Sequence, residues 1–272
     1  MPKTRLDQRL VALGLTASRE QARRLIMAGE VMVNGQMVDR PSAAVADDAQ
    51  VEIKARPRFV SRGGEKLEAA LAQFNIDVRG RVCADVGAST GGFTDCLLQR
   101  GAARVYAIDV GHGILEFGLR RDARVVVMEE TNARYVERLP ESVGFVSIDA
   151  SFISLKILLP VVKAWIASPA ADAPGGERVG ETVALIKPQF EAGRKDVSRG
   201  DGVIRNPEVH RRVLTDVLAF AEGQGWGIAG LIESPLRGPK GNVEFLAWLK
   251  PGGESANWRA MIEALLPPSG DH

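Results

Sequence analysis

The chain has 272 residues, 45% hydrophobic and 25% charged, the make-up of a soluble globular protein with two domains or one domain and an appendage. No apolar run approaches the roughly 18 residues that a membrane span needs, and the charged N-terminus lacks the apolar core of a signal peptide, so cytoplasm is the expected location. The net charge is only +1, but residues 1–60 hold ten Lys/Arg against seven Asp/Glu while the remainder holds 25 against 27.

In chain order, residues 5–13 and 18–27 read as two helices. Ser18 is a suitable N-cap, and Gly14 and Gly29 are suitable stops. Apolar alternation around Asn34-Gly35 predicts a hairpin, and Gln50-Val51-Glu52-Ile53 predicts one more short strand. This makes residues 1–55 a small α+β unit that carries the positive excess, the distribution a nucleic-acid-docking module requires. Residues 56–63 read as a basic linker.

From Gly64 to residue 272 the pattern changes to helices alternating with apolar strands. Helices are expected at 65–74, 92–99, 154–166, 207–223 and 255–265. Strands are expected at 82–86, 104–109, 124–128, 143–148, 182–187, 226–233 and 243–249. Such alternation predicts an α/β, Rossmann-like, mostly parallel seven-stranded sheet with helices on both faces. The last two strands lie so close together that an antiparallel ending is expected. Residues 168–181, rich in Ala, Pro and Gly, read as a disordered or mobile surface loop. Cys83 and Cys96 fall inside apolar patterns and read as small buried hydrophobes, and no His/Cys set has metal-ligand spacing, so no metal is expected.

The segment Ala84-Asp85-Val86-Gly87-Ala88-Ser89-Thr90-Gly91-Gly92-Phe93-Thr94 ends a strand and opens a helix. Glycines at such a turn let the backbone approach a ligand without a Cβ in the way. The absence of a Gly-Lys-Ser/Thr ending counts against a phosphate-binding P-loop. Asp109 ends the next strand about 20 residues on, the spacing at which a carboxylate meets ribose hydroxyls. That spacing fits NAD or S-adenosylmethionine, and the turn itself, Asp-x-Gly-x-x-x-Gly-Gly, is closer to the methyltransferase form. The candidate cofactor residues are Asp85, reaching a methionine amino group through backbone and water, with Gly87, Ser89, Thr90, Gly91, Gly92, Phe93, Asp109, Asn132 and Asp149. Asn132 stands where an adenine edge would be read or where a helix would be capped.

Four ionisable residues fall at element ends on the rim where a doubly wound sheet places its site. Lys66 opens a helix, Asp149 and Lys187 end strands, and Glu244 enters the last strand. A protonated ribose hydroxyl is a poor nucleophile, so its methylation benefits from a general base. A neutral lysine can serve, and burial with a second cation favours the neutral form. Lys66 is expected to supply that cation, and Asp149 and Glu244 to orient the amines and the hydroxyl.

Here the sequence resembles a family. Lys66, Asp149, Lys187 and Glu244 match the Lys-Asp-Lys-Glu tetrad of RNA 2′-O-methyltransferases of the FtsJ/RrmJ type. Arg5-Leu6-Asp7, Gly14, Ser18-Arg19-Glu20-Gln21-Ala22, Gly29 and Val31 to Gly35 look like the S-four RNA-binding domain. Joined by Arg62-Gly63-Gly64-Glu65-Lys66-Leu67, the two parts resemble the TlyA family over nearly the whole chain. The resemblance implies a class I S-adenosylmethionine-dependent fold behind an S-four-type domain. It also implies a cytidine-2′-O-methyltransferase acting on ribosomal RNA within ribosomal subunits, with Lys187 as the base. Ala150-Ser151-Phe152 after Asp149 is not the Pro-Pro-Tyr run of base-amino methyltransferases, which favours an O-methyl product. Candidate RNA contacts are Arg5, Arg19, Arg23 and Arg24 in the first domain, and Arg62, Arg194, Lys195, Arg237 and Lys240 in the second.

The competing readings are a pore-forming haemolysin, a non-catalytic RNA-binding assembly factor and a pseudouridine synthase. No membrane-inserting segment supports the first, and the presence of Lys66 and Lys187 disfavours the second. The only Arg-Leu-Asp, at residues 5–7, is misplaced for the third. Monomer and homodimer are both left open.

Overall fold

The computed structural model describes residues 3–54, 57–166, 180–193, 196 and 202–267. The chain divides into two compact units, residues 1–58 and 59–272.

The first unit contains β1 (Lys3–Arg5), α1 (Leu6–Ala12), α2 (Arg19–Met27), β2 (Val31–Val33), β3 (Gln36–Met37), β4 (Ala44–Ala46) and β5 (Val51–Ile53). The hydroxyl of Ser18 caps α2 by accepting from the Gln21 amide. Asn34 and Gly35 both take positive φ, 50° and 76°, which suits a tight turn between β2 and β3. Strand β2 is central in a three-stranded sheet with β3 and β5. The pairing of β1 with β4 is absent from the expected elements, because three-residue strands carry too little alternation to read. Leu6, Leu10, Ala22, Ile26, Val31, Val45 and Val51 form this unit's core.

The second unit contains α3 (Gly63–Gln73), β6 (Val82–Val86), α4 (Gly92–Gln99), β7 (Arg104–Ile108), α5 (Phe117–Arg121), β8 (Val125–Met128), a 3-10 turn (Ala133–Tyr135), β9 (Phe145–Ile148) and α6 (Leu155–Trp165). It continues with β10 (Glu181–Ile186), α7 (Pro188–Glu191), α8 (Pro207–Gly223), β11 (Trp226–Glu233), β12 (Phe245–Pro251) and α9 (Trp258–Leu265). Phe59 is buried in this unit's core and α3 opens at Gly63, so the expected linker over 56–63 is shorter than its basic composition implies. The loop expected at 168–181 lies, for residues 168–179, outside the described residues, while Glu181 already belongs to β10.

The seven strands run in the order β11-β12-β10-β9-β6-β7-β8. The five from β10 to β8 are parallel, and β12 is antiparallel to both β10 and β11. Side chains alternate across the sheet as the two-residue period requires. Ala184 and Ile186 of β10 pack with α6, α8 and α9, and Val183 and Leu185 pack on the opposite face with α3 and α4. Among the described residues no helix is long and apolar enough to cross a membrane.

The chain leaves β6 toward β7 and β8, then returns to place β9 on the other side of β6. The order reverses there, and a crevice opens beyond the carboxyl ends of β6 and β9.

Candidate active site

The turn after β6 forms the floor of that crevice. Gly87 has φ 84°, and a Cβ on it would lie 2.7 Å from the backbone oxygen of Asp149. No side chain fits where two strand ends approach so closely. Gly91 has φ 98° and faces Leu119 of α5, whose Cδ1 lies 2.2 Å from where a Cβ would stand. The carboxylate of Asp109 accepts from the amides of Ser89 and Gly111, both at 2.8 Å, and fixes the turn against the end of β7.

A cavity of about 560 Å³ lies over this turn, lined by Val86, Gly87, Ser89, Ile108, Asp109, Thr131, Asn132, Asp149, Ser151, Phe152 and Ile157 among others. Asn132 caps the 3-10 turn, one of the two roles expected of its position. Its side chain accepts from the Arg134 amide at the head of the 3-10 turn, and it also lines the cavity.

Asp85 is a correction. Alternation along β6 turns it toward α4, away from the crevice, and it is fully buried. It accepts from the hydroxyls of Thr94 (2.7 Å) and Ser147 (3.1 Å) and lines neither cavity described here. Burial pushes its carboxyl up to about 7, against the pull of the two hydroxyls. It braces β6, β9 and α4 beneath the turn rather than reaching toward a ligand.

A second cavity of about 320 Å³ shares Gly87, Ser89, Asp149 and Ser151 with the first. Its other lining residues include Ser61, Arg62, Lys66, Thr90, Gly92, Phe93, Lys187, Pro239 and Glu244. All four rim residues expected from the sequence therefore meet here, and the register explains why. The ladder pairs Ile186 with Phe245, so Lys187 and Glu244 are the next residues beyond it on neighbouring antiparallel strands. Glu244 stands just ahead of β12 rather than inside it. Val86 pairs with Ile148, which sets Gly87 beside Asp149 in the same way.

The charges pair off. The Lys66 ammonium lies 2.6 Å from Glu244 Oε2, and the Lys187 ammonium 2.6 Å from Asp149 Oδ1. All but Asp149 are buried. Lys66, expected to supply a second cation beside Lys187, is paired with Glu244, as Lys187 is with Asp149. Lys187 also donates to Ser151 Oγ (2.9 Å) and to the backbone oxygen of Asp149 (3.3 Å), and stands 5.7 Å from the Phe190 ring centroid.

Two polar residues at the site escape the sequence reading. Ser151 lies two residues beyond Asp149, and Gln189, two residues beyond Lys187, places Nε2 3.4 Å from Glu244 Oε1. An i+2 polar residue after each strand-end charge is the only trace of them in the sequence. A third side chain, Glu191, ties the two strand-end segments together by accepting from the Leu155 amide (2.7 Å) and Ser154 Oγ (2.6 Å).

Arg62 lines the second cavity, and Arg237 and Lys240 are exposed on the loop that also supplies Pro239 to it. Arg194 and Lys195 lie outside the described residues. In the first unit Arg23 and Arg24 are exposed, whereas Arg5 and Arg19 both bond to the buried carboxylate of Asp7 at 3.0 Å. Those bonds, that from Arg5 foremost, hold the Asp7 carboxyl down at about 2.

A family model described as FtsJ-like methyltransferase matches residues 59–251, and an S4-domain model matches residues 4–51. The chain belongs to the FtsJ-like methyltransferases. This methyltransferase is 44% identical over 254 residues to the 16S/23S rRNA (cytidine-2′-O)-methyltransferase TlyA of Mycobacterium tuberculosis, covering 91% of this chain and 90% of that one. It is 40% identical to Hemolysin A of Brachyspira hyodysenteriae, covering 89% of this chain and 98% of that one. A solved structure from Streptococcus thermophilus that carries a hemolysin label superposes on the methyltransferase with a TM-score of 0.72 at 42% identity, covering 98% of this chain and 95% of that one.

Proposed function

We propose that this methyltransferase transfers a methyl group from S-adenosylmethionine to a ribose 2′-hydroxyl of cytidine in ribosomal RNA, with Lys187 as general base. The observation that carries this reading is the pairing of Lys66 with Glu244 and Lys187 with Asp149 in a cavity that shares a wall with the glycine-floored one. The activity named for the Mycobacterium tuberculosis relative supports the choice of ribosomal RNA and of cytidine.

The residues present fit S-adenosylmethionine. The larger cavity has the volume of a small-molecule site. Gly87 presents only backbone to the cavity, so a ligand can approach it closely. Asp109 faces the cavity with each carboxylate oxygen holding one backbone amide, and each retains a lone pair for a ribose hydroxyl. Ile108 and Ile157 supply apolar walls for a base and Asn132 an amide for its edge. When bound, the cofactor supplies an activated methyl group on a sulfonium, so no metal is needed to activate the donor.

The chain's own residues do the rest. The target hydroxyl enters the smaller cavity beside Lys187, which takes its proton as methylation proceeds. Asp149 holds the lysine side chain in place by accepting from its amine and pairs with the ammonium once the proton is taken. Lys66, fixed by Glu244, keeps a positive charge on the opposite wall, where it stabilises the oxygen as it loses its proton. Arg62 lines the smaller cavity and Arg237 and Lys240 are exposed on the loop that supplies Pro239 to it; these, with Arg23 and Arg24 of the S4 domain, are assigned to RNA phosphates. Ribosomal subunits as substrate place the enzyme in the cytoplasm.

The test is transfer of tritiated methyl from S-adenosylmethionine to ribosomal subunits and intact ribosomes by wild type and Lys187→Ala. Label in alkali-resistant dinucleotides, abolished in Lys187→Ala, is the expected result. Label in an alkali-labile product, or none on any ribosomal particle despite cofactor binding, overturns the reading.

A further inference from the structure

A general base must shed the proton it takes before the next turnover, and the surroundings of Lys187 are uneven in this respect. Its ammonium has three N–H groups and three acceptors: Asp149 Oδ1 at 2.6 Å, the Asp149 backbone oxygen at 3.3 Å and Ser151 Oγ at 2.9 Å. An ionised carboxylate and a carbonyl only accept. Both favour the ammonium, and neither can satisfy the lone pair of a neutral amine. A hydroxyl accepts and donates. Ser151 is thus the one partner of the three that can donate to the lone pair of the neutral amine as well as accept from the ammonium.

Accessibility points the same way. Lys187 is 8% exposed, whereas Ser151 is exposed and lines both cavities. The other charged groups around the amine are already engaged. Glu244, ahead of β12, holds Lys66 of α3, and Glu191 of α7 holds Ser154 and the Leu155 amide. Arg62, at the N-terminus of α3, is a permanent cation that can take no proton. Asp149 is the closest carboxylate, yet a proton passed to it would stay within the pair.

We propose that Ser151 is a positioning residue that sets the protonation of Lys187 and carries its proton to solvent. The proposal rests on Lys187 being the base. After transfer, one Nζ–H bond breaks as a bond forms to Ser151 Oγ, and the original Oγ–H proton passes to a water or buffer base in the open cavity. The lysine is left neutral and the serine unchanged. The hydroxyl then turns and donates to the amine until the next ribose displaces it.

The experiment measures the pH dependence of kcat for methyl transfer by the full-length wild type, Ser151→Ala, Ser151→Thr and Lys187→Ala, with cofactor affinity followed by calorimetry. The hydrogen bond from the charged ammonium to Ser151 is stronger than the one to the neutral amine, by about tenfold in the ratio of the two forms. Ser151→Ala is therefore expected to move the rising limb of kcat about one pH unit downward and, because the proton's route to solvent is lost, to lower the alkaline plateau. Cofactor affinity is expected to stay the same, and Ser151→Thr is expected to restore the wild-type profile. An unchanged profile for Ser151→Ala overturns the proposal. A loss of the same factor at every pH also overturns it, because a purely structural role acts in that way. Lys187→Ala separates the two readings. If it retains wild-type activity, the base assignment itself falls; if it is inactive while Ser151→Ala behaves as wild type, only the role of Ser151 falls.

Discussion

Replacing Glu244 by Ala should expose how strongly the site depends on its charge pairing. The Lys66 and Glu244 side chains are 7% and 1% exposed and lie 2.6 Å apart. At an effective dielectric near 20, that separation corresponds to an attraction of about 6 kcal/mol, set against a desolvation penalty of several kcal/mol per ion. The intact pair is close to neutral in net stability, but a buried ammonium left alone costs about 3–5 kcal/mol. In a domain of this size each kcal/mol shifts the melting temperature by about 2–4 °C, so Glu244→Ala should melt roughly 10 °C lower. The double variant Lys66→Met/Glu244→Leu removes both charges at similar volume and should regain most of that loss. Differential scanning calorimetry of the three proteins at neutral pH measures both steps, and methyl transfer should be absent from both variants. A double variant that melts no higher than Glu244→Ala would refute the reasoning, since the loss would then come from packing and not from an orphaned charge.

Other consequences can be measured in the same way. The buried Asp85 carboxyl sits at about 7 in the fold against 3.8 when unfolded, so stability from this group is full below about pH 4 and lost as pH rises toward 7, by about 4 kcal/mol. Asp85→Asn should flatten the urea midpoint between pH 4 and 8, and parallel slopes for variant and wild type would contradict this. Gly87→Ala places a Cβ 2.7 Å from the Asp149 backbone oxygen at φ 84°, at a cost of about 1–3 kcal/mol in backbone strain alone. Its cofactor affinity, read by calorimetry, should fall by at least tenfold. Asp7→Ala frees Arg5 and Arg19 from their shared carboxylate. The first unit should unfold more readily by hydrogen exchange while its charge toward RNA rises by one, and unchanged protection of α1 would count against the clamp.

Long elements with strong period were legible in the sequence. The spans of β6, α4, α8 and β11 coincide with those read from apolar spacing, because each is long or bounded by glycine or proline. The short pieces β1, β4, α5 and α7 were not, since each is short and depends on tertiary contacts. At the site, Lys66, Asp149, Lys187 and Glu244 were legible as charges at element ends. Their partnership was not, because it depends on the antiparallel register of β10 with β12 and on α3 crossing to Glu244. Asp85 shows the converse. Its position in the motif points to a ligand, but strand alternation alone turns it away from the crevice, toward Thr94 on the following helix and Ser147, 62 positions on.

The last antiparallel strand has a consequence for how the protein is made. Glu244 reaches the rim from the leading end of β12, more than 170 residues after Lys66 has left the ribosome, as their separation of 178 positions shows. A nascent chain that has completed every parallel strand still carries the Lys66 ammonium without its counter-charge, and the wall closed by Pro239 and Glu244 does not yet exist. The RNA-binding unit and the glycine-floored turn emerge well before that. Under the proposed roles, synthesis order separates the capacity to hold ligands from the capacity to react, and only the nearly finished chain has both.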